Sequence, residues 1–187
     1  MELIPITNKD DHWFQPLSTL YDQAFPSLER RDMDHVVMKI KEGLVFLYAA
    51  IESNTFIGLT MLSKGKRFDM MDYLAIDKPY RNHGYGSQVL QMVLTMYNDK
   101  PLFIEIEDPY QPTNDQADKI KRYHFYIHNG LTNSGLLVNL YHVDYLILTN
   151  GQPITYADYI DTYRYAYGPT FLSYLQPQYI GQTKETL

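Results

Sequence analysis

Leu74-Ala75-Ile76-Asp77-Lys78-Pro79-Tyr80-Arg81-Asn82-His83-Gly84-Tyr85-Gly86-Ser87 begins as a strand and ends as a helix. The apolar run closes at Ile76, and Asp77-Lys78-Pro79 stops strand pairing because proline cannot donate to a ladder. A short loop then carries Arg81 and two glycines. From Ser87 to Asn98 the pattern is helical, with Gln88, Gln91, Thr95 and Asn98 on one polar stripe. Val89, Leu90, Met92, Val93, Leu94 and Met96 cover the rest, so this helix is expected to pack into the fold. A helix N-terminus has unpaired N–H groups and a partial positive charge. Successive loop N–H groups add an anion-binding nest. Such a junction holds phosphates with few basic side chains. Gly84 and Gly86 would let phosphate oxygens approach the backbone, and Arg81 can add a charge-assisted bond. The plainer alternative is a two-glycine turn before a helix. Val89 stands where a third glycine would complete Gly-x-Gly-x-x-Gly, and no Gly-Lys-Ser/Thr is present. Neither dinucleotide-binding motif nor P-loop is met.

Working outward, Leu3 to Ile6 reads as a first strand. Pro16 to Ala24 and Leu28 to Glu42 read as helices, separated by Phe25-Pro26-Ser27, with Ser27 as the second cap. Gly43 is a helix stop. Leu44 to Ile51 and Thr55 to Leu62 form a hairpin around Glu52-Ser53-Asn54, and Phe68 to Ile76 is a fourth strand. Leu102 to Glu107 alternates with period two: Leu102, Ile104 and Ile106 face one way, Phe103, Glu105 and Glu107 the other. Asp115 to Asn129 is helical and stops at Gly130. Two strands follow, Thr132 to Leu140 and Tyr141 to Leu148. Thr155 to Tyr167 is a last helix, broken by Gly168-Pro169, with a partly mobile tail beyond. The order βααβββαβαββα, without a repeat or long linker, predicts a mixed sheet of α/β or α+β type.

The 187 residues can bury a core without metal or disulfide staples, and 45% hydrophobic with 20% charged residues is an ordinary globular balance. The absence of cysteine excludes a disulfide framework, a Cys-ligated metal and a cysteine nucleophile, and it is compatible with a reducing cytosol. The N-terminus lacks a signal-peptide pattern, and no apolar run approaches a membrane span. Cytoplasmic location is the expectation. The net charge of −6 argues against nucleic acid and favours a cationic partner.

Arg81-x-x-Gly84-x-Gly86, after a strand ending Leu-Ala-Ile-Asp, resembles the acyl-CoA pyrophosphate loop of GNAT N-acyltransferases. Phe125-Tyr126-Ile127-His128-Asn129-Gly130-Leu131 resembles the family's later Phe/Leu-Tyr-x-x-x-Gly-Phe segment, and Ala24-Phe25-Pro26 resembles part of an N-terminal helix pair. The resemblance spans roughly residues 1–150. It implies a GNAT acyltransferase domain over 1–150, with residues 151–187 as a C-terminal helix and tail packed on it. The implied sheet is central, splayed and mostly antiparallel, flanked by helices. The implied cosubstrate is acetyl-CoA. Its pyrophosphate would lie on the backbone of Arg81, Asn82, His83, Gly84, Tyr85, Gly86 and Ser87, and its pantetheine arm along Leu74 and Ile76. A strand N–H near Ile76 would polarise the thioester carbonyl. Tyr126 would be the general acid for the thiolate. Where many members carry Asn seven residues before that tyrosine, this chain has Lys119.

Tyr126 also lies off the helix's apolar stripe of Ala117, Ile120, Tyr123, His124 and Ile127, so a core role is not its obvious purpose. A positioned phenol can donate to a sulfur leaving group. The attacking amine must lose a proton, and Glu105 is the expected acceptor, directly or through water, with Asp72 as second candidate. The alternative for Glu105 and Glu107 is a pair of solvated carboxylates. His124 and His128 lie one helical turn apart, but without a third ligand no metal site is expected. Tyr156, Tyr159, Tyr163 and Tyr167 recur at helical spacing and point to packing or a homodimer contact, with a substrate-lining stripe as the sharper alternative. The acidic residues Asp72, Asp77, Glu105, Glu107 and Asp108 favour a cationic acceptor, a small molecule or a protein amine. The expected activity is therefore acetyl transfer from acetyl-CoA to a primary amine in a ternary complex. The alternative is a GNAT-fold module that binds or senses acyl-CoA without turnover.

Overall fold

The computed structural model describes residues 1–182. The fold is mixed α/β, with an open eight-stranded sheet in the order β1-β2-β3-β4-β5-β7-β6-β8. The strands are β1 (Glu2–Ile6), β2 (Val45–Glu52), β3 (Thr55–Ser63), β4 (Asp69–Ile76), β5 (Leu102–Glu107), β6 (Thr132–Leu140), β7 (Val143–Thr149) and β8 (Gln178–Gln182). The helices are α1 (Phe14–Ala24), α2 (Met33–Lys41), α3 (Tyr85–Met96), α4 (Gln116–His128) and α5 (Tyr156–Leu175). β4 and β5 run parallel, and the pairs β1–β2, β2–β3, β5–β7, β6–β7 and β6–β8 are antiparallel. Two compact units are distinguishable: residues 1–64 with 71–96, and residues 65–70 with 97 onward.

In the first unit, Ser53 and Asn54 join β2 to β3 with φ of 47° and 58°. That left-handed pair matches the twist of a tight hairpin. α1 packs on β3 and α2 on β2, burying Leu17 and Val36. Gly58 on β3 permits a close approach to β4, because a Cβ there would press into the carbonyl oxygen of Ala75. The second helix begins at Met33, later than the expected Leu28. Asp32, not Ser27, caps it by accepting from the N–H groups of Asp34 and His35 at 2.8 and 3.1 Å. Residues before it are held in a turn on the Pro26 carbonyl. A carboxylate two or three residues from free N–H groups outcompetes a serine followed by residues already committed to that turn.

In the second unit, Asp69 opens β4 and is 1% exposed. It accepts from Gly65 N–H (2.9 Å), Tyr97 Oη (2.8 Å) and Lys100 Nζ (2.6 Å). A buried carboxylate is tolerable only with such a full set of donors. β5 spans the predicted residues, with its predicted Leu102/Ile104/Ile106 face buried. Tyr141 and His142, with φ of 51° and 65°, make the β6–β7 turn, so β7 starts later than expected. α5 opens with a capping box between Thr155 and Asp158. Gly168 breaks it as predicted, at φ 84° and ψ 169°, but helix resumes to Leu175. The chain then returns as β8 on β6, a strand the sequence reading did not include. Residues 183–187 of the expected mobile tail lie outside the described residues. Among the described residues no helix is long and apolar enough to cross a membrane.

Candidate active site

The first unit carries the candidate phosphate loop. β4 pairs in parallel with β5 only at Asp69↔Leu102 and Met70↔Phe103, which belong to the second unit. Leu74 and Ile76 lie further along the strand and are half-buried, alternating with buried Tyr73 and Ala75. At the strand end Asp77 N–H donates to the Ile57 carbonyl (2.9 Å), and Asp77 Oδ1 accepts from Lys78 N–H (2.7 Å). Lys78–Tyr80 make one 3-10 turn. Arg81 Nε donates back to the Ile76 carbonyl at 2.8 Å, so this side chain ties the loop to the strand it leaves. Asn82 and Gly84 are left-handed, at φ 64° and 81°. A Cβ on Gly84 would meet no atom within 4 Å, so glycine serves the backbone conformation there and leaves open space above it.

α3 begins at Tyr85, earlier than Ser87, because Gly84 supplies the reversal and Gly86 already fits the helix. Gln88 N–H donates to Gly84 C=O at 3.1 Å. The N–H groups of Tyr85, Gly86 and Ser87 precede that bond and belong to the unsatisfied first turn. Residues 81–84 are exposed, and the rings of Tyr80 and Tyr85 meet edge to face at 6.3 Å across the loop. The geometry can receive an anion at the helix N-terminus. Val89, Leu90 and Val93 anchor α3 in the interior as expected, whereas Met96 is exposed.

Asp72, the second base candidate, is locked in an ion pair. Arg31 Nη2 lies 2.7 Å from Asp72 Oδ1, and the Ser63 hydroxyl bonds the other carboxylate oxygen. Arg31 Nη1 also donates to Tyr73 Oη (2.9 Å), which donates to the Glu29 carbonyl (2.5 Å). This partly buried network pins the α1–α2 connection to β4 and removes Asp72 from the list of poised bases.

The second unit holds Glu105 and Tyr126. Glu105 is half-buried on β5, opposite Ile147 of β7. Its Oε1 accepts from Tyr159 Oη (2.7 Å) and Tyr163 Oη (2.8 Å), both on α5. Burial first, and then the Glu105 charge, push the Tyr159 phenol well above its ordinary range, so it stays protonated and donates. Glu107 meets Lys119 Nζ at 3.0 Å and Arg122 Nη1 at 3.3 Å, both on α4. The picture of two solvated carboxylates is thereby corrected, because both are hydrogen-bonded. Lys119, at the position of the family's asparagine, is 7% exposed. Burial pulls its ammonium down, but Glu107 and Asp115 outweigh that and hold it above its usual value. The predicted apolar stripe of α4 is corrected accordingly: Ala117 is exposed, while the Lys119 stem and Tyr123 are buried.

Tyr126 is half-buried in the last turn of α4. Burial pushes its phenol up to about 12, against the opposing pull of the Arg122 charge. It therefore stays protonated over the whole neutral range. Asn129 Nδ2 donates to the Phe125 carbonyl (2.7 Å), and Gly130 at φ 99° ends the helix as predicted. The His124 and His128 rings stack at 5.8 Å. Among the described residues no group of three or more His, Cys, Asp or Glu is placed to hold a metal ion.

Of the five acidic residues expected to draw a cation, Asp72 and Glu107 are matched by built-in cations. Asp77, Glu105 and Asp108 accept from neutral donors. Sequence reasoning missed the phenol pair on Glu105. The available signal was the Tyr159/Tyr163 spacing of one helical turn, which points equally to packing or a dimer contact. The rings do pack in series, at 6.1, 5.3 and 6.4 Å from Tyr156 through Tyr167, but two hydroxyls also serve a carboxylate.

In the first unit a strand leads through a left-handed glycine loop into the start of α3. The acetyltransferase (GNAT) family matches residues 13–128, and the chain belongs to that family. A putative GNAT-family acetyltransferase from Bacteroides thetaiotaomicron shares the fold with a TM-score of 0.73 at 19% identity, over 90% of this chain and 99% of that one. A spermidine N-acetyltransferase chimera from Vibrio cholerae and hSSAT gives 0.61 at 13% identity, over 80% and 95%. An aminoglycoside 6'-N-acetyltransferase complexed with coenzyme A gives 0.58 at 15% identity, over 80% and 96%. No curated protein matches the chain.

Proposed function

We propose that this acetyltransferase moves an acetyl group from acetyl-CoA to a primary amine, by direct transfer in a ternary complex. The observation that carries the reading is the left-handed Asn82–Gly84 loop opening into the N-terminus of α3 directly after β4. The backbone from Arg81 to Ser87 would receive the cofactor pyrophosphate. Leu74 and Ile76 would align the pantetheine arm through their backbone groups. Because Arg81 Nε already engages the Ile76 carbonyl, the contribution of Arg81 is as much to hold the loop as to meet a phosphate. The domain of residues 1–150 would carry the C-terminal helix as part of it, a reading supported by the Tyr159 and Tyr163 bonds to Glu105.

In the reaction the amine lone pair forms the N–C bond at the thioester carbon. The C–S bond breaks, and the departing thiolate takes the Tyr126 proton. The proton released from nitrogen passes to Glu105, directly or through water. Direct transfer suits a chain with no cysteine to hold the acyl group. A cationic acceptor suits a chain of net charge −6. Spermidine and aminoglycoside acetyltransferases are among the structurally similar proteins, and acceptors of those kinds are the first to try.

Calorimetric titration with acetyl-CoA, followed by an acceptor screen of polyamines, aminoglycosides and lysyl peptides, tests the reading. Saturable binding with turnover of a cationic amine is expected. No acetyl-CoA binding would overturn it. Tight binding, no turnover of any amine and a silent Tyr126→Phe would leave the non-catalytic acyl-CoA sensor.

A further inference from the structure

Glu105 and its two phenols come from elements far apart in the chain. Tyr159 and Tyr163 lie 54 and 58 residues beyond Glu105, one helical turn apart on α5, and their hydroxyls converge on the same oxygen. Tyr159 is 0% and Tyr163 3% exposed. α5 is itself held in place from both ends of its first turns. Arg67 Nη1 bonds Asp158 at 2.9 Å, and the Thr162 hydroxyl donates to the Phe68 carbonyl at 3.0 Å. The rings of Phe103 and Tyr159, 5.7 Å apart, keep the helix against β5. Ring packing alone would be met by phenylalanine. Two tyrosines that aim both hydroxyls at one carboxylate oxygen indicate a demand for a fixed, charged acceptor.

We propose that Tyr159 and Tyr163 are positioning residues that lock the rotamer of Glu105 and keep it ionised, so that it faces the acceptor amine as a ready proton acceptor. This rests on reading Glu105 as the base. Hydrogen bonds to the charged form of a carboxylate favour that form, and a locked rotamer spares the reaction the cost of orienting it. Glu107, on the same face of β5, is paired with Lys119 and Arg122 of α4. Tyr145 of β7 lies opposite Glu107, not Glu105. On β4, Asp69 is held by Lys100 and Tyr97. On α5, Asp158 pairs with Arg67 and Asp161 with Arg164. The two phenols act on Glu105 directly, through their bonds to its Oε1.

The test is a carboxyl NMR titration of Glu105 in the unliganded full chain, carrying 13C-labelled glutamate and assigned by Glu105→Gln. It is run for the wild type, Tyr159→Phe and Tyr163→Phe. Phenylalanine keeps the ring, and each single variant keeps one donor, so both should fold. Each variant should raise the Glu105 midpoint by about one pH unit, the value of one hydrogen bond to a charged group. In acetyl transfer to an acceptor found by the screen, the acid limb of kcat/KM should move up by the same amount, with KM for acetyl-CoA unchanged. Unmoved midpoints in both variants would overturn the inference. Failure of the underlying reading looks different: Glu105→Gln would retain wild-type turnover whatever the phenols do to the titration.

Discussion

Replacing Gly84 separates the cost of a backbone conformation from the loss of a ligand contact. Gly84 has φ 81°, and an added Cβ would meet no atom within 4 Å. The folded state would therefore lose nothing to steric overlap with the rest of the chain. An L-residue in the left-handed region costs about 1–2 kcal/mol. Alanine recovers about 0.4–1 kcal/mol by restricting the unfolded chain. Gly84→Ala should thus lower stability by about 0.5–1.5 kcal/mol, and Gly84→Asn by less, since asparagine visits that region more readily. The open space above Gly84 is where a phosphate is proposed to approach. There the same methyl group should weaken acetyl-CoA by at least about tenfold, or 1.4 kcal/mol. Gly84→Glu adds like charge to the obstruction and should abolish measurable binding. Urea unfolding gives the first quantity and calorimetric titration the second. A stability loss above about 3 kcal/mol would contradict the open space, as overpacking costs of that size require a real clash. An unchanged acetyl-CoA affinity in both the alanine and glutamate variants would show that no part of the cofactor comes near this loop.

Tyr126→Phe should lower kcat by about a hundredfold or more, the usual worth of a positioned acid, with little change in KM for acetyl-CoA, as steady-state kinetics would report. With its phenol pushed up to about 12, the wild-type enzyme should lose no activity to Tyr126 ionisation until strongly alkaline pH. Gly58→Ala should cost about 3 kcal/mol or more in urea unfolding, because the clash is with the Ala75 backbone and cannot relax by rotating a side chain. The Asp158 carboxyl, against the upward push of burial, is held below its ordinary 3.8 by the Thr155 hydroxyl and N–H and by Arg67. A depressed carboxylate contributes stability above its unfolded value and loses it as pH falls through the folded one. Asp158→Asn should therefore cost about 0.5–2 kcal/mol near neutrality, and the gap to wild type should close on acidification below the unfolded value. A gap that stays constant down to acid unfolding would remove the charge from the account.

The β4–loop–α3 junction was legible because its causes are local. A strand run, a proline, two glycines and an amphipathic helix each constrain the few residues around them, and the backbone followed with α3 shifted only to Tyr85. The β5 face and the Gly130 stop were legible for the same reason. α2 was misplaced because Ser27 and Asp32 are both plausible caps, and the choice went to the one whose neighbours were free to bond it. β8 was missed because a short edge strand draws its stability from β6, not from its own pattern. Nothing in the sequence next to Asp72 announces Arg31, and nothing next to Glu105 announces Tyr159 and Tyr163. A buried polar group takes whichever partner the packing brings within hydrogen-bond reach, and over 41 or 54 residues that is decided by which helix lies on which strand. The residue types of an acyltransferase can be read along the chain. The state of each carboxylate, paired with a cation, capped by a phenol or closed in a network, was decided by the tertiary fold alone, because electrostatic and hydrogen-bond energies depend on distance in space.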